Sequence, residues 1–171
     1  LSDEAVFSDG TPVTCADYLL TFSAGQLPEL FGAHLPLFDD TESMQCNPGA
    51  KTFTVVFKEG RGDRWRGLFD AGTVLPAHAV AKKAGMSEEE LVDALHSLDP
   101  TRMAPIAKIW REGFDFAEFD PELQVSFGPY VIESFGEDGE VNLVANEHYY
   151  GDQPQVCLLY TSPSPRDRQK S

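Results

Sequence analysis

The side chains of this 171-residue chain best suited to chemistry are 28 carboxylates, four histidines and three cysteines. Asp39, Asp40 and Glu42 crowd around Thr41, and clustered carboxylate oxygens are what a calcium ion prefers. The cluster lacks the spaced ligands and the glycine of a calcium loop, so it reads as a solvated loop. His78 has no cysteine or histidine at ligand spacing and reads as a surface or core residue, not a metal ligand. Cys15, Cys46 and Cys157 form no Cys-x-x-Cys pair. The chain carries no Gly-x-Ser-x-Gly elbow, no His-Glu-x-x-His, no phosphate-binding Gly-x-x-x-x-Gly-Lys and no dinucleotide fingerprint. Two carboxylates suffice for glycoside hydrolysis, but an acidic chain offers many pairs and singles out none. Arg61-Gly62-Asp63 spells the integrin-binding tripeptide; three residues recur by chance, and Asp63 reads better as the cap of a helix beginning at Arg64. These residues specify no catalytic group, no metal site and no cofactor.

The charge balance narrows the partners. A net charge of −15 repels nucleic acid and anionic membrane surfaces. It does not by itself call for a cationic ligand, because a solvated acidic surface has the same composition. A hydrophobic fraction of 42% is enough for a sizeable core, and the length suits one domain. No stretch approaches the roughly 18–20 apolar residues of a membrane span. The chain opens at Leu1 and enters patterned sequence almost at once, which reads as a truncation, so the missing leader carries no address.

The elements that must position any site follow in order. Asp9-Gly10 is a turn, and Thr14 with Asp17 three residues on makes a capping box for a helix through Leu19, Leu20 and Phe22, with Gly25 as its stop. Residues 26–50 read as irregular. From Lys51 to Lys58 the chain alternates, with Phe53, Val55 and Phe57 on one face and Thr52, Thr54 and Val56 on the other, as a strand does. Pro76 suits the first turn of a helix that ends at Gly85. Ser87-Glu88-Glu89-Glu90 caps another, with Leu91, Val92, Leu95 and Leu98 as its apolar stripe. Asp99-Pro100 opens a third, broken or kinked at Pro105 and ending at Gly113. Phe114, Phe116 and Phe119 read as loop-to-core packing. Residues 130–145 form a hairpin around Gly136-Glu137-Asp138-Gly139, with Val141, Leu143 and Ala145 on one face.

Three motifs in this order resemble one family. They are Phe7-x-Asp9-Gly10-Thr11-Pro12-Val13-Thr14-x-x-Asp17, then Val74-Leu75-Pro76-x-His78, then Gly128-Pro129-Tyr130 leading to Asn146-x-x-Tyr149-Tyr150-Gly151-x-x-Pro154. The pattern is similar to that of extracytoplasmic solute-binding proteins delivering oligopeptides, dipeptides or nickel to ABC importers. Tyr150 stands where that family usually has tryptophan.

The resemblance implies an α/β fold: part of a two-lobed, periplasmic-binding-protein-like architecture with mixed sheets, incomplete in this chain. Residues 1–155 correspond to a partial N-terminal portion, with the 126–154 hairpin as scaffold in the sheet of the larger lobe. The implied function is capture of small peptides outside the cytoplasmic membrane and delivery to an ABC permease by hinge closure. The implied protein is monomeric when complete, extracytoplasmic and lipid-anchored, and neither an enzyme nor a nucleic-acid binder. A secreted hydrolase and an interaction module on the same fold are the alternative readings. The loop ahead of the Pro76-x-His78 motif lies near the cleft in that family, which makes Phe69, Asp70 and Thr73 the expected ligand wall. An oxidising compartment would permit a Cys15–Cys46 disulfide, worth about 3–4 kcal/mol in the chain-entropy picture. Residues 156–171, rich in Ser, Pro and Arg, have no counterpart in the family pattern. They read as a disordered tail resembling sequencing-adapter read-through, so Cys157 is set aside.

Overall fold

The computed structural model describes residues 1–70, 72–115, 118–136, 140–154 and 158–161, the last four by backbone alone. The chain divides into two compact units, Leu1–Asp3 with Val13–Gly113, and Glu4–Pro12 with Phe114–Ser171.

The first unit is mainly helical. Helix α1 (Cys15–Gln26) starts as the capping pattern requires: the Thr14 N–H donates to Asp17 Oδ2 at 2.8 Å, and the Thr14 hydroxyl accepts from the Ala16 N–H. Gly25 is not its stop. The helix runs one residue further, and a Cβ at Gly25 would sit 2.6 Å from the Phe38 ring, so close packing accounts for the glycine. The stretch expected to be irregular contains a short helix α2 (Pro28–Phe31), a 3-10 turn (Pro36–Asp40) and strand β1 (Thr41–Gln45). β1 has no apolar alternation. It exists because it pairs antiparallel with β2 (Thr54–Phe57), with a register shift between Thr41 and Ser43. The alternation around β2 is as expected, with Phe53, Val55 and Phe57 half-buried and Thr52, Thr54 and Val56 exposed.

Asp63 caps no helix. It lies in a 3-10 turn (Gly62–Gly67) whose N-terminal flank makes no side-chain cap. Asp40 of the acidic cluster pairs with Arg61 at 3.6 Å, and the Asp39 carbonyl accepts from Lys58 Nζ, so these groups serve local structure.

Helix α3 (Ala77–Ala84) ends at Gly85, whose φ of 71° is the left-handed closure that glycine makes cheap. Helix α4 (Glu88–Ser97) begins with both arms of the Ser87–Glu90 capping box. It buries Leu91, Val92, Ala94 and Leu95, whereas Leu98 is exposed with φ 48° as the cap residue, not part of the stripe. Helix α5 (Pro100–Glu112) continues through Pro105. Pro105 and Thr101, whose carbonyl loses its partner there, are both exposed, so water satisfies what the proline removes. Cys15 and Cys46 form the disulfide, S–S 2.01 Å, tying the start of α1 to the end of β1.

The second unit is a three-stranded antiparallel sheet, β3 (Tyr130–Phe135), β4 (Val141–Ala145) and β5 (Leu158–Thr161), in that order. Its hairpin is closed at the base by Asn146. The Asn146 side-chain amide donates to the carbonyls of Ser126 and Gly128, its oxygen accepts from the His148 N–H, and its own N–H donates to Pro129 O. The Asp9-Gly10 turn forms with Gly10 at φ 85°, and Ser8 and Ser126 exchange hydrogen bonds. β5 departs from the disorder expected after residue 155: its backbone pairs with β4, Val141 opposite Thr161. Leu158-Leu159-Tyr160-Thr161 is a β-prone run, and an open strand edge recruits such a run. Residues 137–139 of the expected turn, Phe116, and positions 155–157 and 162–171 of the expected tail lie outside the described residues. Among the described residues, no helix is long and apolar enough to cross a membrane.

Candidate functional site

The expected wall residues lie on the connection between the Gly62–Gly67 turn and α3. Phe69 is half-buried at the centre of an aromatic cluster. Its ring centroid lies 5.0 Å from Tyr18, 5.5 Å from Phe38 and 5.7 Å from Phe53, all edge to face, and Phe38 in turn meets Phe22. Phe69 also lines an open cavity of ≈ 580 Å³ with Phe53, Val55, Phe57, Trp65 and Leu68. Trp65 is 53% exposed and carries the Arg66 guanidinium 4.4 Å above its ring.

Asp70 and Thr73 belong together and apart from that cavity. The Thr73 N–H and hydroxyl both donate to the Asp70 carbonyl, at 3.1 and 2.7 Å. Both residues line a second cavity of ≈ 320 Å³ with His34, Leu35 and Phe38, and buried Leu68 borders both cavities. Each volume is within the span of small-ligand pockets, roughly 300–1,000 Å³. The three residues expected to form the wall are therefore neighbours in sequence that line two different hollows. His78 is half-buried on α3, and among the described residues no group of three or more His, Cys, Asp or Glu side chains is placed to hold a metal ion.

Sequence reasoning placed Asp17 at the start of α1 and missed its second bond. Asp17 is 2% exposed; besides the Thr14 N–H, its Oδ1 accepts from the Ala77 N–H at 2.7 Å, so one carboxylate caps both α1 and α3. Burial pushes its pKa up to about 7. The two N–H donors oppose that rise, Glu88 adds to it, and Lys51 lowers it. Thr21, one turn further, is fully buried and donates its hydroxyl to the Thr73 carbonyl at 2.7 Å. A capping box is a local pattern, but a partner sixty residues away leaves no mark in spacing; the only signal was polar residues on the buried face of a helix.

Residues 1–164 match the family described as bacterial extracellular solute-binding proteins, family 5 Middle. The matched span includes β5 and runs into the tail expected to lack a counterpart. An uncharacterized lipoprotein of Mycobacterium bovis is 34% identical over 99% of this chain and 31% of its own length. One of Mycobacterium leprae is 31% identical over the same shares of each chain. Among solved structures, the periplasmic EDTA-binding protein EppA superposes with TM-score 0.66 at 24% identity, over 99% of this chain and 27% of EppA. The oligopeptide-binding protein of Thermus thermophilus, bound to a pentapeptide, gives 0.57 at 17% identity over 92% and 25%. Lactococcal OppA, closed on an endogenous peptide, gives 0.52 at 18% over 95% and 29%.

The superpositions establish an α/β fold shared with part of the two-lobed binding proteins. The chain belongs to the family 5 extracellular solute-binding proteins. It spans about a third of the length of the curated relatives it matches.

Proposed function

We propose that the complete protein is the solute-capturing component of an ABC importer. It takes oligopeptides or dipeptides outside the cytoplasmic membrane and passes them to a membrane permease when its lobes close. The observation that carries this reading is the family match across residues 1–164. Two structural relatives hold peptides, and the mycobacterial relatives are named lipoproteins, which supports a lipid-anchored, extracytoplasmic address. The disulfide fits an oxidising compartment.

Phe69, Asp70 and Thr73 form part of the ligand wall in this reading, with no cofactor and no catalytic residue. Asp70 is an exposed carboxylate beside a hollow, suited to the ammonium group of a peptide and hostile to a polyanion such as the chelate for which EppA is named. The fold alone does not choose between such ligands, and the Asp70 carboxylate favours the cationic one in this reading.

The test is calorimetric titration of the full-length protein with defined di- to pentapeptides and, separately, with EDTA. Peptide binding weakened by Asp70→Ala supports the reading. Binding of EDTA with no response to any peptide overturns the ligand class, and peptide binding indifferent to Asp70→Ala removes that residue from the wall.

A further inference from the structure

We propose that α1 is a frame that fixes the 69–77 connection, with Asp17, Tyr18 and Thr21 as positioning residues for the ligand wall. This rests on the reading of Asp70 and Thr73 as ligand-facing.

The connection is gripped at every fourth residue. The Tyr18 ring meets Phe69 at 5.0 Å, the Thr21 hydroxyl holds the Thr73 carbonyl at 2.7 Å, and Asp17 Oδ1 holds the Ala77 N–H at 2.7 Å. Positions 17, 18 and 21 fall together on one side of a helix, so a single rigid element makes all three contacts. Between the first two grips Thr73 donates back to the Asp70 carbonyl, and Gly72 is exposed at φ 83°. Asp70 is exposed too, so burial of its own side chain does not set its place.

The composition of α1 supports the same conclusion. Asp17 and Thr21 are buried side chains at positions where an apolar residue would add to the core without a desolvation cost. Asp17 Oδ1 and the Thr21 hydroxyl are instead matched to backbone groups of the connection, and leaving those groups unmatched would be costly. None of the three residues lines the Asp70 cavity. Asp17 and Thr21 act through the backbone they hold and Tyr18 through the Phe69 ring, and together they set where the Asp70 carboxylate meets an incoming cation.

The experiment uses the full-length protein carrying Thr21→Val, which keeps shape and removes the hydroxyl, and Thr21→Ser, which restores it. Amide hydrogen exchange across residues 69–77 is followed with α4 and α5 as internal reference, and affinity is measured with a synthetic mixture of tri- to pentapeptides. In Thr21→Val, exchange of the connection rises about tenfold while α4 and α5 are unchanged, and affinity falls about tenfold; Thr21→Ser recovers both. Exchange that rises evenly through all three segments, or not at all, overturns the frame. Local loosening with unaltered affinity overturns the positioning role. A wild-type protein that binds none of the peptides refutes the peptide reading instead, and the exchange comparison still decides the frame.

Discussion

Asn146 shows how much structure one polar side chain can organise. It is 1% exposed, and three of its hydrogen bonds run through the side chain to Ser126, Gly128 and His148. Asn146→Ala strands the Gly128 carbonyl and the His148 amide and takes one of two donors from the Ser126 carbonyl, which keeps the Ser8 N–H; it should destabilise the full-length protein by about 2–3 kcal/mol in denaturant unfolding. A loss below about 0.5 kcal/mol would mean that water replaces the side chain there. Asp17 gives a prediction of a different kind. Its folded pKa, about 7, lies above its ordinary value of 3.8, so the folded state holds the proton more tightly between those limits. The stability this group contributes is complete below about pH 4, declines as pH rises, and is gone above about pH 7. Asp17→Asn removes that titration. The stability difference between wild type and variant should therefore shift toward the variant from pH 4 to 7.5, at up to about 1.4 kcal/mol per pH unit. Parallel stability curves for the two proteins would show that Asp17 keeps its ordinary pKa. Gly151 makes a simpler point: a Cβ there would lie 2.7 Å from the Tyr149 ring, so the Tyr-Tyr-Gly motif is a packing unit.

At the scale of elements, what the sequence disclosed was what is local. The capping boxes at Thr14 and Ser87, the closure at Gly85 and the alternation at Phe53, Val55 and Phe57 depend on residues a few positions apart, and all form. β1 escaped because its residues carry no strand pattern and take their conformation from β2. The joint cap at Asp17 and the grip of Thr21 escaped because their partners are remote. Phe69, Asp70 and Thr73 were reached through family resemblance, and spacing could not have shown that they face two hollows. Gly25 was misread for a related reason: glycine signals a stop when only the helix is considered, but Phe38 explains it. Gly25→Ala should thus reverse the usual propensity gain of about 1 kcal/mol and lower stability by about 1–3 kcal/mol. Combining it with Phe38→Ala, which removes the ring carbons 2.6 and 2.7 Å from the added Cβ, should cost less than the sum of the single changes, as a double-mutant cycle would reveal. An increase in melting temperature for Gly25→Ala alone would contradict the packing explanation.

For the molecule as a whole, the governing fact is that the chain spans about a third of its relatives' length, and on the proposed reading it supplies one part of an enclosing site. The two hollows are open; Phe69 lines one and Asp70 and Thr73 the other, and Trp65 in the first is 53% exposed. A binding protein of this class gains affinity by surrounding its ligand, excluding water and strengthening the polar contacts within. On the proposed reading, residues 1–171 alone offer a peptide contact without the enclosure. Ligand that binds only the folded, complete protein stabilises it by mass action, about 2.7 kcal/mol at a hundredfold excess over Kd. A saturating peptide should therefore raise the melting temperature of the full-length protein by several degrees and leave that of the isolated chain unchanged. Calorimetric scans of both, with and without the tri- to pentapeptide mixture, make the comparison. An isolated chain stabilised as much as the complete protein would place the whole binding determinant within residues 1–171 and refute capture by enclosure between lobes.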